Sequence, residues 1–454
     1  MKKLVKKLLA LGLAGATICG VLASCSPGAD TSSSDSGSGA AQASQDAGGA
    51  QGGDGAQTAE KKKVVLWHLW TGAEAGYVDE AVAAYNAQSD LYEVEAVSTP
   101  DSQKIMVAIQ AGTGPDITDD FTNNIGSYAS KGIMMPLDDK IAEVGADLSD
   151  FVPSTLEACR YEGKLYALPV GMNLMALFYN KDLLAEAGYT EPPKTMEELY
   201  QMAVDTTKVN DDGTIDVLGF PDFPSVYYMD NFAAALGGGW YDENGKPASP
   251  DNEGNLMALQ YAVKYREQFG VDNVAKFGSA GKYLDPTDPF LAGKETFRVD
   301  GNWLGQNIKE LFKVDVNYGC TFLPYPEGRE DLAGRGIASS SMYYIPSNAK
   351  EPDGAFDFLL YIAGPEGTMI QSVSRGGFPS LLSQFDSEEF KKSYDSDVFT
   401  ALAESPNLFA LPNVPQSTEY ATICNEEVEL ALNLKQTPEQ ALQNIYERGS
   451  ALFE

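Results

Sequence analysis

Residues 63–121 read KVVLWHLWTGAEAGYVDEAVAAYNAQSDLYEVEAVSTPDSQKIMVAIQAGTGPDITDDF. Val64, Val65, Leu66 and Trp67 have the branched, apolar character of a buried strand, and Tyr77 to Gln88 carries Val78, Val82 and Tyr85 at helical spacing. Leu91 to Val97 alternates as a strand does, Ser102 to Ala111 reads as a helix, and a third strand begins at Pro115-Asp116-Ile117-Thr118. Strand, helix, strand, helix, strand predicts an α/β fold built on a parallel sheet with right-handed crossovers. In such open sheets ligands bind beyond the carboxyl ends of the strands. Topology alone therefore puts Trp70, Thr71, Gly72, Asp119, Asp120, Phe121 and Asn123 where a ligand would lie.

Towards the N-terminus, Lys2, Lys3, Lys6 and Lys7 precede an apolar run from Leu8 to Ala23, the pattern of a secretory signal over residues 1–24. The run is shorter than a bilayer-spanning helix requires. It ends in Leu22-Ala23-Ser24-Cys25, which resembles the bacterial lipobox and implies cleavage before Cys25 and lipidation of its thiol. Ser26 to Ala59 holds no aromatic or branched aliphatic residue. Such a stretch cannot bury enough apolar surface to fold, so residues 25–61 read as a lipidated cysteine and a disordered linker. Its reach as a coil is on the order of 30 Å, that of a tether.

From Lys62 the composition turns globular, and the roughly 390 residues that follow exceed what one hydrophobic core fills, so two domains are expected. The balance of 65 acidic against 32 basic residues, a net charge of −33, excludes nucleic acid and an anionic membrane surface as partners. Beyond Cys19 and Cys25, the odd count of Cys159, Cys320 and Cys424, without close spacing, reads as buried thiols rather than a disulfide framework or a zinc site. Thr195-Met-Glu-Glu198 is a capping box that launches a helix. Pro352 opens another, with Phe356, Leu359 and Leu360 on one face, and Thr437-Pro438 starts a last one. Asp211 to Gly213 and Glu243 to Gly245 mark turns.

Tyr161-Glu-Gly-Lys-Leu-Tyr-Ala-Leu-Pro-Val170, Leu177-Phe-Tyr-Asn-Lys-Asp-Leu-Leu184, Phe290-Leu-Ala-Gly-Lys-Glu-Thr-Phe-Arg-Val-Asp-Gly-Asn-Trp303 and Phe322-Leu-Pro-Tyr-Pro-Glu-Gly328 follow one another in the chain. In these stretches and their order the chain resembles the family 1 bacterial extracellular solute-binding proteins, the maltodextrin-binding type. The resemblance implies a two-lobed, periplasmic-binding-protein-like fold of type II, each lobe a parallel-rich sheet flanked by helices. Three crossing hinge segments are expected near Val170 to Leu174, Thr321 to Pro324 and Gly376 to Ser380. The lobes would be 62–171 plus 324–377 and 172–323 plus 378–454. It further implies non-catalytic capture of a small solute, a mono- or oligosaccharide, by hinge closure, and delivery to the permease subunits of an ABC importer. The protein would act without a cofactor or metal, as a monomer, at the extracellular face of the cytoplasmic membrane, touching the membrane only through its lipid anchor.

A sugar site needs flat aromatic surfaces together with polar side chains that grip hydroxyls. The family's Pro-Asp-Ile stretch carries its binding positions onto Asp120 and Asn123. The family's best-known sugar binder has an aromatic at the position of Asp120, so a maltodextrin ligand does not carry over with the resemblance. Asn173 falls where that binder has an acidic sugar contact, and Trp303 matches a tryptophan that stacks on sugar. Trp70 reads as a cleft platform or a core residue, and Trp240, after Gly237-Gly-Gly239, as a cleft wall or a packed loop. Arg375 reads as a clamp on ligand or a partner for an acid across the hinge, and Tyr420 joins from a late helix. A secreted glycoside hydrolase would draw on Asp119, Asp120 and Asp300. A nucleophile triad would need His68, the one histidine. The pairs Tyr227-Tyr228 and Tyr343-Tyr344 raise a ferric-iron ligand set, although adjacent tyrosines are expected as strand residues facing opposite sides.

Overall fold

The computed structural model describes residues 60–221, 223 and 226–454. The signal peptide, Cys25 and the linker up to residue 59 lie outside the described residues. Among the described residues no helix is long and apolar enough to cross a membrane.

Alternation builds the first sheet. In Lys62–His68, the side chains of Val64, Leu66 and His68 are buried. This strand pairs in parallel with Tyr92–Ser98 and with Ile117–Phe121, as the sequence predicted. Beyond Ile117–Phe121 the sheet continues with Gly336–Tyr344, antiparallel, and then Leu408–Ala410. Ala167–Asn173 also pairs with Gly336–Tyr344, with a register shift between Ser341 and Met342. The helix after the first strand spans Gly72–Gln88, five residues longer at its start than the Tyr77 to Gln88 reading, and Glu74 in its first turn lies 3.6 Å from Arg375. Pro352–Ile362 packs beside it, with Tyr85 edge-on to Phe358 at 5.0 Å. A Cβ at Gly354 would strike the side chains of Val64 and Tyr92, so that helix lies directly on the sheet.

The second sheet corrects the parallel-rich expectation for its lobe. Met175–Asn180 is flanked by Phe297–Gly301 and Tyr318–Thr321, both antiparallel to it. Each flanking strand returns from a long excursion to the Asn180 end, where Asn180 N–H donates to Thr296 O and Lys181 N–H to Asn317 O, so each runs back along it. Around this sheet stand the helices Met196–Thr206, Val226–Ala235, Glu253–Phe269, Ser417–Leu432 and Pro438–Leu452. They close a core that includes Phe232, Tyr265, Trp240 and Tyr420. The capping box at Thr195 and Glu198 is present. Tyr227 and Tyr228 lie on the Val226–Ala235 helix and not on a strand, a second correction: consecutive helical residues diverge by about 100°, and their rings meet edge-on at 6.0 Å. Tyr343 and Tyr344 do lie on a strand, both buried. Cys159 and Cys424 are buried free thiols and Cys320 is half-buried.

Where the chain passes between lobes, its segments are bound to one another. Met172 N–H donates to Phe378 O at 2.8 Å. The buried Asn302 accepts from Leu174 N–H at 3.0 Å and donates to Gly376 O at 3.2 Å. A separate apolar cluster, with Met172, Leu174, Phe178 and Phe378, packs around these passages.

The loop that carries Trp240 is set by close backbone contact. Asn255 clamps Gly239 from both sides, accepting from its N–H at 2.8 Å and donating to its carbonyl at 2.9 Å. A Cβ on Gly254 would sit 2.2 Å from the Gly238 nitrogen. Alanine is the better helix former by ~1 kcal/mol, yet here backbone would have to give way. Gly254→Ala is therefore expected to destabilise the protein by about 1–3 kcal/mol, as overpacking does. Denaturant unfolding checks this, and an unchanged or raised midpoint would refute the contact.

Candidate functional site

Several of the candidate residues lie on or beside the first sheet. Trp70, just past the end of the Lys62–His68 strand, is half-buried, with the Arg375 guanidinium over its ring at 4.1 Å and Phe121 edge-on at 6.4 Å. Neither Trp70 Nε1 nor Arg375 Nε has a hydrogen-bond partner among the described residues. Burial pulls the Arg375 pKa down, against Glu74, Tyr343 and Asp119, which hold it up. Asp119 accepts from Leu69 N–H at 2.9 Å, while Asp120 accepts from Phe121 N–H and from Asn124 at 2.9 Å. The two acids thus serve separate hydrogen-bond sets. Burial pushes Asp119 up to about 8, and the neighbouring Asp120 adds to the rise. His68 is buried, which lowers its pKa. Asn173, also buried, donates to Ser341 at 3.3 Å.

Opposite them, Trp303 rests on Gly301, where a Cβ would come within 2.2 Å of the indole ring, so only glycine leaves room for it. Its Nε1–H donates to Tyr283 at 2.7 Å, and Tyr283 in turn donates to Asp300 at 2.9 Å. Asp300 is fully buried and pushed up to about 6 by burial, with Arg298 opposing the rise. Three residues on from Trp303, Gln306 donates to Ser374 O, beside Arg375. The segment that carries Trp303 thus touches the segment that carries Arg375.

Farther along, Asn123 joins Tyr227, Asp230, Trp240, Ser417 and Tyr420 around a pocket of about 60 Å³. Tyr227 and Asp230 sit three apart on one helix face. Tyr227 OH lies 3.0 Å from Ser339 Oγ on the long strand of the first sheet. Tyr420 donates to the carbonyl of Trp240 at 2.8 Å, which occupies its hydroxyl. Asp230 Oδ1, Trp240 Nε1 and Ser417 Oγ are buried and lack partners among the described residues. Burial pushes Asp230 up to about 7, with the Trp240 amide holding it back.

The structure therefore brings Asn123, Trp240 and Tyr420 to one pocket and stacks Arg375 on Trp70. It sets Trp303 against Gly301 and Tyr283, and Asp120 and Asn173 spend polar atoms on neighbouring protein groups. Sequence reasoning missed Tyr283, Asp230 and Ser417. Only Asp230 left a trace, its helical spacing from Tyr227.

Comparison with known proteins agrees with this geometry. A family profile described as bacterial extracellular solute-binding protein matches residues 80–397. The chain is similar to the maltotriose-binding protein of Pyrococcus abyssi, 25% identical over 334 residues that cover 72% of this chain and 69% of that one. It is similar also to the galactooligosaccharide-binding protein of Bacillus subtilis, 24% identical over 382 residues covering 82% and 85%. Among solved structures, CpMnBP1 with mannotriose bound matches with a TM-score of 0.79 at 26% identity, over 86% of this chain and 100% of that one.

The raised acids have a measurable consequence. Between 3.8 and about 8 the folded chain keeps a proton on Asp119 that the unfolded chain releases. Stability from this group is therefore greatest at the acid end and falls as pH rises through that window. Asp119→Asn should raise the melting temperature at pH 8 by at least a few degrees and by almost nothing at pH 4. Calorimetry across that range checks it, and a difference independent of pH would contradict it.

Proposed function

Because the chain belongs to the bacterial extracellular solute-binding proteins, we propose that it holds a saccharide between its two lobes and passes it, chemically unaltered, to an ABC importer. The observation that carries this reading is a set of aromatic rings with polar groups beside them: Trp70 and Phe121 at the carboxyl ends of parallel strands, Trp303 with Tyr283, and Tyr227 bonded to Ser339 of the first sheet. Ring faces bind the apolar faces of sugars, and polar groups beside them fix orientation. The relatives' names point the same way, towards maltotriose, galactooligosaccharide and mannotriose.

In this reading Trp70 and Trp303 are stacking platforms, Arg375 and Asn123 offer donors, and Trp240 walls one end. Asp120, Asn173 and Tyr420 position neighbours, since their hydrogen bonds are made within the protein. A glycosidase needs two carboxyl groups flanking one bond. Asp119 and Asp120 belong to separate hydrogen-bond sets and Asp300 is tied to Tyr283, which favours binding without turnover. We assign the second crossing to Gly336 through Ser341 rather than Thr321 to Pro324. Tyr325 bridges to Thr195, and Arg335 donates to Ala234 O, so the intervening residues stay with the second lobe. Lipid on Cys25 would keep a monomer at the outer face of the cytoplasmic membrane, beside the permease subunits.

Calorimetric titration of the secreted protein with maltotriose, mannotriose and a galactooligosaccharide tests the reading. At least one should bind, and Trp303→Ala should weaken it about 10- to 100-fold by removing one buried ring face. Small-angle scattering should show compaction on binding. Absence of binding to any saccharide, or release of a cleaved product, would overturn the proposal.

A further inference from the structure

The strand Phe297–Gly301 gives Phe297 and Val299 to the core that holds Phe232 and Tyr265, so Arg298 and Asp300 stand on its other face. Both fasten the loop that carries Tyr283. Arg298 donates to Asp288 Oδ2 at 2.9 Å, and the same oxygen accepts from Leu284 N–H at 2.9 Å. One residue earlier, the Tyr283 hydroxyl donates to Asp300 Oδ1 at 2.9 Å and accepts from Trp303 Nε1–H at 2.7 Å.

Asp300 Oδ1 also accepts from Gly301 N–H at 2.7 Å. Gly301 is the residue against the Trp303 ring, where a Cβ would stand 2.2 Å from the indole. A single carboxylate oxygen therefore holds both supports of that ring, the glycine it rests on and the tyrosine that takes its N–H. A phenol has one proton to give. Because Asp300 receives it, the Tyr283 oxygen faces the indole as an acceptor.

Stability alone does not account for an acid at this position. Asp300 is 0% exposed, its Oδ2 has no hydrogen-bond partner among the described residues, and burial drives it towards its neutral form. An apolar side chain on a buried strand would avoid that cost. What the carboxylate supplies in return is a fixed ring: both bonds of Oδ1 go to residues in contact with Trp303.

We propose that Asp300 is a positioning residue, which sets the orientation of the Trp303 ring through the Tyr283 hydroxyl and the Gly301 backbone. The inference rests on the saccharide reading above and deepens it, since a stacking platform works only when its own side chain is held in place from behind.

Fluorine NMR on the purified full chain labelled with 5-fluorotryptophan tests it. The chain has four tryptophans, and Trp303→Phe identifies the Trp303 resonance. Tyr283→Phe and Asp300→Ala should each move that resonance without ligand, whereas Asp300→Asn, which keeps an acceptor oxygen, should leave it near the parent position. Tyr283→Phe deletes one oxygen from an exposed residue, so it carries the test even where Asp300→Ala does not fold. In titration calorimetry with maltotriose and mannotriose, these two variants should weaken the trisaccharide that binds by about 3- to 10-fold. Asp300→Asn should bind nearly as the parent does, and the Tyr283→Phe, Asp300→Ala double variant should lose no more than the weaker single. In a Trp303→Ala background neither change should cost affinity. A Trp303 resonance that stays put, an unchanged affinity, or a loss that persists without Trp303 would overturn the inference and leave the saccharide reading standing. Should the parent bind neither trisaccharide, the saccharide reading falls, and the resonance alone decides whether Asp300 positions Trp303.

Discussion

The side chain of Asn302 ties Leu174 to Gly376, two segments far apart in the chain. Its amide accepts from Leu174 N–H and donates to Gly376 O, and its own N–H reaches Leu174 O. Passages between sheets lack ladder partners for their backbone groups, and a buried backbone group without a partner is costly. One asparagine, with a donor and an acceptor on a short stem, satisfies groups on both passages at once. Its neighbours in sequence make the clamp part of the cleft: Gly301 yields the space beneath the Trp303 ring, and Gln306 holds the Ser374 carbonyl beside Arg375. Leu174, Gly376, Gly301 and the Trp303 ring are thus held within one run of contacts centred on Asn302.

The electrostatics of the cleft follow from the same economy. The chain carries a net charge of −33, yet the acids at the junction are withdrawn from water, and burial drives Asp119, Asp230 and Asp300 towards their neutral forms. Arg375 stacks on Trp70 and lies 3.6 Å from Glu74, and Arg298 offsets part of the rise at Asp300. A cleft of this kind offers directed dipoles rather than net charge.

Much of the fold was legible because residues 63–121 encode each element locally: apolar alternation for strands, spacing of Val78, Val82 and Tyr85 for the helix between them. Gly336–Tyr344 was not. Its Ser339-Ser340-Ser341 centre has no apolar period, and it is a strand because partners pair with it from several directions. Nor could the sequence show that the second sheet is antiparallel, since that depends on which end of Met175–Asn180 two long excursions return to. The tryptophans stood out by type, as large rings beside glycines. Asp230 and Ser417 look like ordinary solvated positions on helices until the fold buries them.

That difference suggests how to rank polar residues at such a junction. Asp120 and Tyr420 were attractive as ligand contacts because of their chemistry, but the structure gives their polar atoms internal partners. A guest competing for them would have to break a bond already made, and little net gain is left. Trp240 Nε1, Asp230 Oδ1, Trp70 Nε1 and Arg375 Nε carry no such commitment. Each bond a guest makes to them recovers a desolvation cost that the fold has already incurred. Residue type alone therefore ranks such positions poorly, and the existing commitments of their polar atoms rank them better.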